Sequence, residues 1–194
     1  MGSTKDDLER RIALARPDDT VRGLIFNAVL ALAGRQLGPE AAVRLREPLF
    51  TRSPVDFFSY PAVDFLRLIY STADALTPRY GSHEEAMRAV GGAAVTGFFH
   101  STVGQTLTRL IGQKDPKRLF ANAPTAYSTL VSYGRREYSE LGARRVRLHF
   151  QGDMQPVAFH EGVLGEALNA IGCRGQARGT PHALDEAEYL IGWE

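Results

Sequence analysis

The sequence predicts an α+β fold, in which an N-terminal part of six or seven helices precedes a C-terminal ββαββ unit with an antiparallel sheet. Apolar residues recur at helical spacing through most of residues 20–134. From residue 136 the period changes to 2, and the alternating segments 144–150 and 187–193 flank an apolar helix at 157–171. Helices that precede an antiparallel sheet along the chain indicate the α+β class.

Length and charge indicate an ordinary globular domain. The chain has 194 residues, which suits one α+β domain at 20–194 after a flexible, charged lead-in at 1–19. The formal charge is +1, from 23 Lys+Arg and 22 Asp+Glu, so bulk charge creates no attraction to nucleic acid or to an anionic membrane. The longest nearly apolar run, 90–99, is about half the ~20 residues that a membrane span needs. We expect a soluble, cytoplasmic protein without a membrane span.

The helical part begins with a helix that is apolar around almost its whole circumference. Thr20 can cap this helix, whose apolar residues lie between 21 and 32. A short helix at 40–47 follows. The next connector, 52–61, is rich in aromatic residues, so we expect it to fold back on the core. Helical spacing then resumes at 62–76.

A glycine-containing helix is predicted at 84–99. Ser82 and Glu85 form a capping box at its start. Each glycine inside it lowers its intrinsic stability by roughly 1 kcal/mol relative to alanine. Such glycines permit close backbone approach by another helix or by a ligand, and helix packing is the more ordinary reason. The glycines are Gly91, Gly92 and Gly97.

The remaining elements complete the helical part and form the sheet. Further helical segments are predicted at 102–111, after Asp115 and from 122 to about 133. Two hairpins then lie on either side of the helix at 157–171, which must cover the apolar face of the sheet. Their strands are predicted at 136–141, 144–150, 173–180 and 187–193.

The sequence contains no recognisable reaction signature, so we predict that the protein is not an enzyme. It lacks a Gly-x-Ser-x-Gly nucleophile elbow, a phosphate-binding loop and a dinucleotide fingerprint. The single cysteine, Cys173, excludes an internal disulfide and a multi-cysteine zinc site. The histidines show no metal-binding spacing, so we expect neither a catalytic site nor a metal site. They are His83, His100, His149, His160 and His182.

Four arginines are predicted to share one face of the sheet. If Val146 and its alternating partners face inward, Arg145 and Arg147 face outward, and Arg174 and Arg178 share a face by the same alternation. A solvated surface is the ordinary explanation, and binding of an acidic partner is the functional one. Readers of nucleic acid would add stacking aromatic residues to such a face. None is interleaved here, so no nucleic-acid partner is expected.

Several sequence strings resemble a paralogous family of proteins of about 200 residues that is abundant in myxobacteria and has no known function. The resemblance spans residues 20–193 and implies nothing specific about activity. The strings are Val21-Arg-Gly-Leu-Ile-Phe-Asn27, Val55-Asp-Phe-Phe-Ser-Tyr-Pro61, Asn122-Ala-Pro-Thr-Ala-Tyr127, Val131-Ser-Tyr-Gly134, His160-Glu-Gly-Val-Leu164 and Asp185-Glu-Ala-Glu-Tyr189 with Trp193.

The order of elements is also similar to a fold shared by heme-based nitric oxide/oxygen-binding domains, vinyl-reductase-type ligand-binding domains and TRAPP-type transport proteins. In the heme domains a helical histidine binds iron and a Tyr-x-Ser-x-Arg motif holds the propionates. The counterpart here, Tyr133-Gly-Arg-Arg-Glu137, has Arg135 and Glu137 where the motif has Ser and Arg. His100 is the one histidine that we can name as a candidate iron ligand. The resemblance implies a binding or sensing module with its ligand between the helices and the sheet, and no cofactor is expected.

Three functional hypotheses remain open. The first is a non-enzymatic cytoplasmic module that binds a small apolar ligand or a protein partner in signalling or regulation. The second is a protein interaction module, either a homodimer or an adaptor that binds an acidic partner through Arg145, Arg147, Arg174 and Arg178. The third is a heme-linked gas sensor. The residues expected to contact a ligand are Phe57, Phe58, Tyr60, Gly97, Phe98, His100, Tyr133 and His160.

Overall fold

The computed structural model describes residues 4–102, 104–106 and 115–194. Helices dominate the first part of the chain and an antiparallel sheet dominates the last, so the predicted α+β class is confirmed. The helices are α1 (Thr4–Ile12), α2 (Gly23–Leu37), α3 (Pro39–Arg46), α4 (Ala62–Tyr80), α5 (His83–His100), α6 (Pro116–Ala121), α7 (Ala123–Leu130) and α8 (Val157–Ala170). The strands are β1 (Thr20–Arg22), β2 (Ser59–Pro61), β3 (Arg135–Gly142), β4 (Arg145–Gln151), β5 (Gly175–Ala183) and β6 (Glu186–Trp193).

The C-terminal sheet has the strand order β3-β4-β6-β5, and all of its pairs are antiparallel. Both predicted hairpins are therefore confirmed, and β6 pairs with β4 so that the two hairpins form one sheet. Val146 and Leu148 of β4 lie opposite Ile191 and Tyr189 of β6, and all four side chains are buried. Leu164 and other apolar residues of α8 pack on this face, as the sequence predicted.

The helical part has its own apolar core around α2, α4 and α5. Phe26 of α2, Leu66 and Ile69 of α4, and Val90 of α5 are fully buried in it. In the part of the chain that the structure describes, no helix has both the length and the apolar composition required to cross a bilayer. The predicted helix at 102–111 lies largely outside the described residues.

The backbones of α5 and α8 touch at two glycines. A Cβ atom on Gly91 of α5 would lie 1.9 Å from the carbonyl oxygen of Phe159, and one on Gly162 of α8 would lie 1.9 Å from that of Arg88. Both distances are far inside van der Waals contact, so only glycine fits. The prediction that the glycines permit close approach by another helix is confirmed at Gly91.

The lead-in and the start of the first apolar helix differ from the prediction. Residues 4–12 form α1 rather than a loose segment, because Arg11 is buried and donates hydrogen bonds to the carbonyl oxygens of Met154 and Leu184. Thr20 does not cap a helix, because it lies in β1 and pairs with Pro61 of β2. α2 begins three residues later, after Arg22.

The aromatic connector is only partly folded onto the core. Tyr60 packs against Phe26 with ring centroids 5.7 Å apart, but Phe57 and Phe58 are 72% and 57% exposed. Backbone hydrogen bonds explain the difference, because Gly23 donates to the carbonyl oxygen of Phe58 and holds the connector along the start of α2. The expectation that the whole connector covers the core is wrong for Phe57 and Phe58.

The contact between α5 and α8 predicts opposite effects for two alanine substitutions on α8. Gly162→Ala should lower the free energy of unfolding by about 1–3 kcal/mol, because the new methyl group overlaps the Arg88 carbonyl group. Gly165→Ala is the matched control, since no described atom outside its own stretch of α8 lies within 4 Å of its Cβ position, and it should raise stability by up to about 1 kcal/mol. Urea denaturation measures both changes. Equal effects of the two substitutions would contradict the close backbone contact.

Candidate functional site

A charged cluster is buried where β3 begins and β4 ends. It contains Arg136 on β3, Asp153 just after β4 and His160 on α8, which are 9%, 4% and 2% exposed. The Arg136 guanidinium forms an ion pair with Oδ2 of Asp153. The Nε2 atom of His160 lies 3.0 Å from Oδ1 of the same carboxylate.

Two glycines with left-handed backbone conformations bring these residues together. Gly134 has φ +73° and precedes β3, while Gly152 has φ +66° and follows β4. A Cβ atom on Gly134 would lie 3.0 Å from the carbonyl oxygen of Gly152, so the two turns are in close contact. This geometry directs both Arg136 and Asp153 into the interior of the protein.

Three further polar side chains extend the cluster. The hydroxyl group of Tyr127 lies 3.0 Å from Nδ1 of His160, so both ring nitrogens of this histidine have partners. The Gln155 amide NH2 group donates a hydrogen bond to the Tyr133 hydroxyl, and the Gln155 backbone N–H donates to Asp153 Oδ1 over 3.2 Å. The Arg136 guanidinium also lies over the ring of Tyr127, 4.8 Å from its centroid.

Burial and charge set the protonation states in the cluster. Burial raises the pKa of Asp153, but electrostatic interactions with His160 and Arg136, together with hydrogen bonds from His160 and Gln155, lower it well below the ordinary value. Burial raises the pKa values of Tyr127 and Tyr133, so both phenols stay protonated at neutral pH. Asp153 is therefore an anion that is paired with the Arg136 cation.

An apolar cavity of about 90 Å³ adjoins the cluster. It lies among helices α2, α4, α5, α6, α7 and α8, and Arg136 is the one residue of the four-stranded sheet in its lining. Arg136, Gln155, Tyr127 and His160 are the polar residues at its border, although nearly all of the surface that lines the cavity is apolar. Apolar lining residues include Ile25, Phe65, Phe98, Phe120, Phe159 and Leu164.

Two polar atoms at this border lack hydrogen-bond partners. Among the residues that the structure describes, Nε of Arg136 and Oε1 of Gln155 are buried and unpartnered. Both side chains line the cavity. Buried polar groups in proteins are nearly always satisfied, so these two atoms are exceptions that carry an energetic cost.

Three of the eight predicted ligand-contact residues lie at this site. Phe98 and His160 line the cavity, and Tyr133 belongs to the polar cluster. Gly97 instead packs against α2, because its Cβ would lie 2.4 Å from the Cβ of Ala28. Tyr60 lies in the aromatic group around Phe26 in the helical core.

The other three predicted contact residues lie on the surface. They are Phe57, Phe58 and His100. His100 is exposed because it is the last residue of α5, where the helix leaves the core. These residues therefore do not contribute to the cavity.

The sequence analysis missed the residues that carry most of the polar chemistry, namely Tyr127, Arg136, Asp153 and Gln155. One signal was present for Arg136, which occupies an inward position of β3 opposite the buried Phe150. An arginine in the inward register of a strand needs a buried partner. No spacing pattern in the sequence links Arg136 to Asp153, because their ion pair depends on the contact between the turns at Gly134 and Gly152.

The remaining histidines do not line the cavity, although His149 and His182 lie close together, with ring centroids 6.2 Å apart. Nδ1 of His83 lies 2.9 Å from Asp74, and Nε2 of His149 lies 2.8 Å from Glu186. His182 is exposed at the end of β5. Over residues 4–102, 104–106 and 115–194, no three His, Cys, Asp or Glu side chains gather in a way that could hold a metal ion.

The predicted arginine face lies on the outer side of the sheet. Arg147 and Arg178 occupy the same row, on either side of Leu190 in β6. Arg147 is 3.5 Å from Glu188, so part of its charge is already neutralised. In the described chain no carboxylate forms an ion pair with Arg145, Arg174 or Arg178, all of which are exposed. The arginines therefore form a positive surface around a 42% exposed leucine.

The buried ion pair predicts strongly non-additive substitutions. Arg136→Met and Asp153→Leu should each lower the free energy of unfolding by about 3–5 kcal/mol, because each leaves an unpaired buried charge. The double substitution removes both charges and should cost less than the sum of the two single substitutions. A double-mutant cycle by urea denaturation tests this, and additive losses would show that the two residues do not depend on each other.

Solved structures with the same fold are found among H-NOX proteins. An H-NOX protein from Shewanella oneidensis in the Fe(II)NO ligation state superposes with a TM-score of 0.71, 15% sequence identity and coverage of 89% of this chain and 99% of that one. The Fe(II) unliganded H-NOX protein from K. algicida superposes with a TM-score of 0.64 and 14% identity, over 89% and 96% of the chains. At these identities the similarity establishes the fold and not the activity.

A third structure, from work on heme distortion in the H-NOX family, superposes with a TM-score of 0.65 and 8% identity, over 89% of this chain and 95% of that one. No protein with a curated function matches the chain. The model of the family described as "Protein of unknown function (DUF2378)" matches residues 14–194. This match covers nearly the whole chain, and the protein, whose fold is similar to that of the H-NOX structures above, therefore belongs to the DUF2378 family.

Proposed function

We propose that this protein is a non-enzymatic cytoplasmic sensing module that binds a small ligand in its core cavity and acts in signalling or regulation. The observation that carries the proposal is the apolar cavity of about 90 Å³ with unpartnered polar atoms at its border. An empty core cavity lowers stability by about 24 cal/mol per Å³. For this volume the penalty is about 2 kcal/mol, which a bound ligand can recover.

A sensing role is supported by the position of the cavity. Residues from both apolar clusters line it, for example Phe98 from the helical core and Leu164 from the core beneath the sheet. A ligand there contacts both parts of the fold at once, so its binding free energy depends on how the two parts pack. A change in that packing is a signal that a partner protein can detect.

The residues at the cavity do not suit heme, although the structural neighbours are H-NOX proteins. The cavity is smaller than the roughly 150 Å³ apolar cavity that accepts one benzene ring, and a porphyrin is several times larger than benzene. Both nitrogens of His160 are hydrogen-bonded, and His100 is exposed at the end of α5. Heme-linked gas sensing through His100 is thus the weaker alternative, and it requires a Soret band that disappears in His100→Ala.

The proposal predicts that xenon, a probe of small apolar cavities, binds the purified protein. Titration with dissolved xenon should shift backbone amide NMR signals of residues around the cavity. Ala126→Leu should weaken this response by about tenfold or more, because Ala126 lines the cavity and the larger side chain fills part of it. Ala121→Leu is the matched control, since Ala121 is exposed on the neighbouring helix and should leave xenon binding unchanged.

A mass comparison identifies any ligand that the protein retains on purification. The native mass should exceed the denatured mass by the mass of a small molecule, and the absorption spectrum should lack a Soret band. A Soret band would favour the heme alternative. Absence of xenon binding together with equal native and denatured masses would remove the ligand-binding proposal.

The positive outer face of the sheet supports a second candidate function, recognition of an acidic protein partner. Arg145, Arg174 and Arg178 have no carboxylate partners in the described chain, and Leu190 adds an apolar contact between the charges. Exposed like charges attract an oppositely charged partner and steer its approach.

The second candidate predicts a charge-dependent loss of binding. Arg145→Glu with Arg178→Glu should weaken binding of a glutamate-rich probe peptide by about tenfold or more at low salt. Arg52→Glu with Arg79→Glu makes the same change in net charge at exposed arginines of the helical part and is the control. Fluorescence anisotropy measures both affinities. Equal losses in the two variants would mean that only net charge matters.

A further inference from the structure

Gly192 on β6 occupies a position where the fold does not require glycine. β6 is a central strand, and Gly192 pairs with Arg145 of β4 on one side and with Gln176 of β5 on the other. Its backbone is not left-handed, and outside its chain neighbours the nearest described atom to an added Cβ is the Arg144 carbonyl oxygen, at 3.9 Å. Glycine weakens the interior of a strand and there often marks the close approach of another molecule.

Arginines surround this position on the outer face of the sheet. Gly192 follows the buried Ile191, so by the alternation of a strand it faces outward. Neighbouring strands lie about 4.8 Å apart, so the Cα atoms of its two partners, Arg145 and Gln176, are about 10 Å apart across the glycine. These three residues line an open groove, termed the arginine groove, together with Arg144, Arg174 and Arg178.

The positive charge of the arginine groove is not neutralised within the described chain. None of its four arginines forms an ion pair or a side-chain hydrogen bond there, and all four are exposed. Glu194 is the one acidic residue among the described residues that line the groove. Glu188, on the same face of the sheet, lies 3.5 Å from Arg147, which is outside the lining. Four arginines and one glutamate leave an excess of three positive charges at neutral pH, which attracts an anion.

Apolar side chains lie at the rim of the arginine groove. Leu141 on β3 and Leu190 on β6 line it and are 47% and 42% exposed. A free phosphate ion offers no apolar surface that could cover these leucines, whereas a protein segment presents charged and apolar side chains together. Unpaired arginines beside exposed leucines therefore fit a protein partner better than a free small anion.

The arginines match a phosphoryl group better than a carboxylate. A phosphorylated side chain carries a charge of about −1.5 to −2 at pH 7 and three strong acceptor oxygens, more than a glutamate offers. The arginine fork binds phosphate oxygens in pairs, and the Gln176 amide NH2 group adds donors. We propose that the arginine groove binds a phosphorylated side chain of a protein partner, with the phosphoryl group over Gly192 between Arg145 and Gln176. The proposal rests on the second candidate function and names the group that the acidic partner presents.

Three peptides of one sequence test the choice of ligand. They carry phosphoserine, glutamate or serine at the same position between two leucines. We expect the phosphoserine peptide to bind at least about tenfold more tightly than the glutamate peptide, and the serine peptide to bind most weakly. Fluorescence anisotropy at low ionic strength gives the three Kd values. Inorganic phosphate, added as a competitor, should need at least about a tenfold higher concentration than unlabelled phosphoserine peptide.

A substitution that leaves every charge in place tests the role of Gly192. Gly192→Val fills the space between Arg145 and Gln176 and should weaken binding of the phosphoserine peptide at least about tenfold, while the higher strand propensity of valine keeps the protein folded. Thr180→Val is the matched control, because it places a valine on the outer face of β5, outside the groove lining, and should leave binding unchanged. Arg145→Gln removes one assigned guanidinium and should reduce the preference for phosphoserine over glutamate by at least about threefold. Urea denaturation verifies that all three variants are folded.

The outcomes distinguish the phosphoryl site from the second candidate function. Equal affinity for the phosphoserine and glutamate peptides, or wild-type affinity of folded Gly192→Val protein, would overturn the phosphoryl site and leave recognition of an acidic partner in place. Competition by inorganic phosphate at the concentration of the phosphoserine peptide would replace the protein partner with a small phosphate compound. Failure of these peptides and of the glutamate-rich probe peptide to bind would remove the second candidate function itself and the proposal with it.

Discussion

The direct backbone contact between α5 and α8 is the constraint on which the rest of this structure depends. Gly91 and Gly162 allow the two helices to approach until a carbonyl group of each occupies the space of a missing methyl group on the other. Because α5 belongs to the core of the helical part and α8 covers the sheet, this contact joins the two halves of the fold. The positions of Phe159 and His160, next to the contact on α8, are fixed by it.

Small residues also surround the cavity, as they do at the contact between α5 and α8. Ala94 on α5, Ala126 on α7 and Ala167 on α8 are among the residues that line it, so three helices contribute small side chains to its wall. Protein cores are otherwise packed to crystal-like density. The cavity is therefore attributed to the small size of these alanine side chains. The buried cluster limits collapse at the other end, because Arg136 and Asp153 are held by partners on two turns.

Sequence patterns identified the elements better than they identified the site. The change of period near residue 136 was sufficient to locate both hairpins, because a buried face imposes strict alternation on β4 and β6. The site depends on tertiary contacts between Tyr127, Arg136, Asp153 and His160, which come from three separate elements and the turn after β4. Phe57 and Phe58 illustrate the opposite error, since aromatic character suggested burial where backbone bonds to α2 hold the connector on the surface.

A shared fold with H-NOX proteins leaves the ligand to be decided by the side chains at the cavity. An imidazole that binds iron needs a free nitrogen directed into an open space. In this chain the buried imidazole, His160, uses both nitrogens to connect Tyr127 with Asp153, and that connection supports the Arg136 ion pair. Freeing a nitrogen of His160 would break a hydrogen bond to Tyr127 or to Asp153. The hydrogen bonds of His160 therefore oppose its use as an iron ligand.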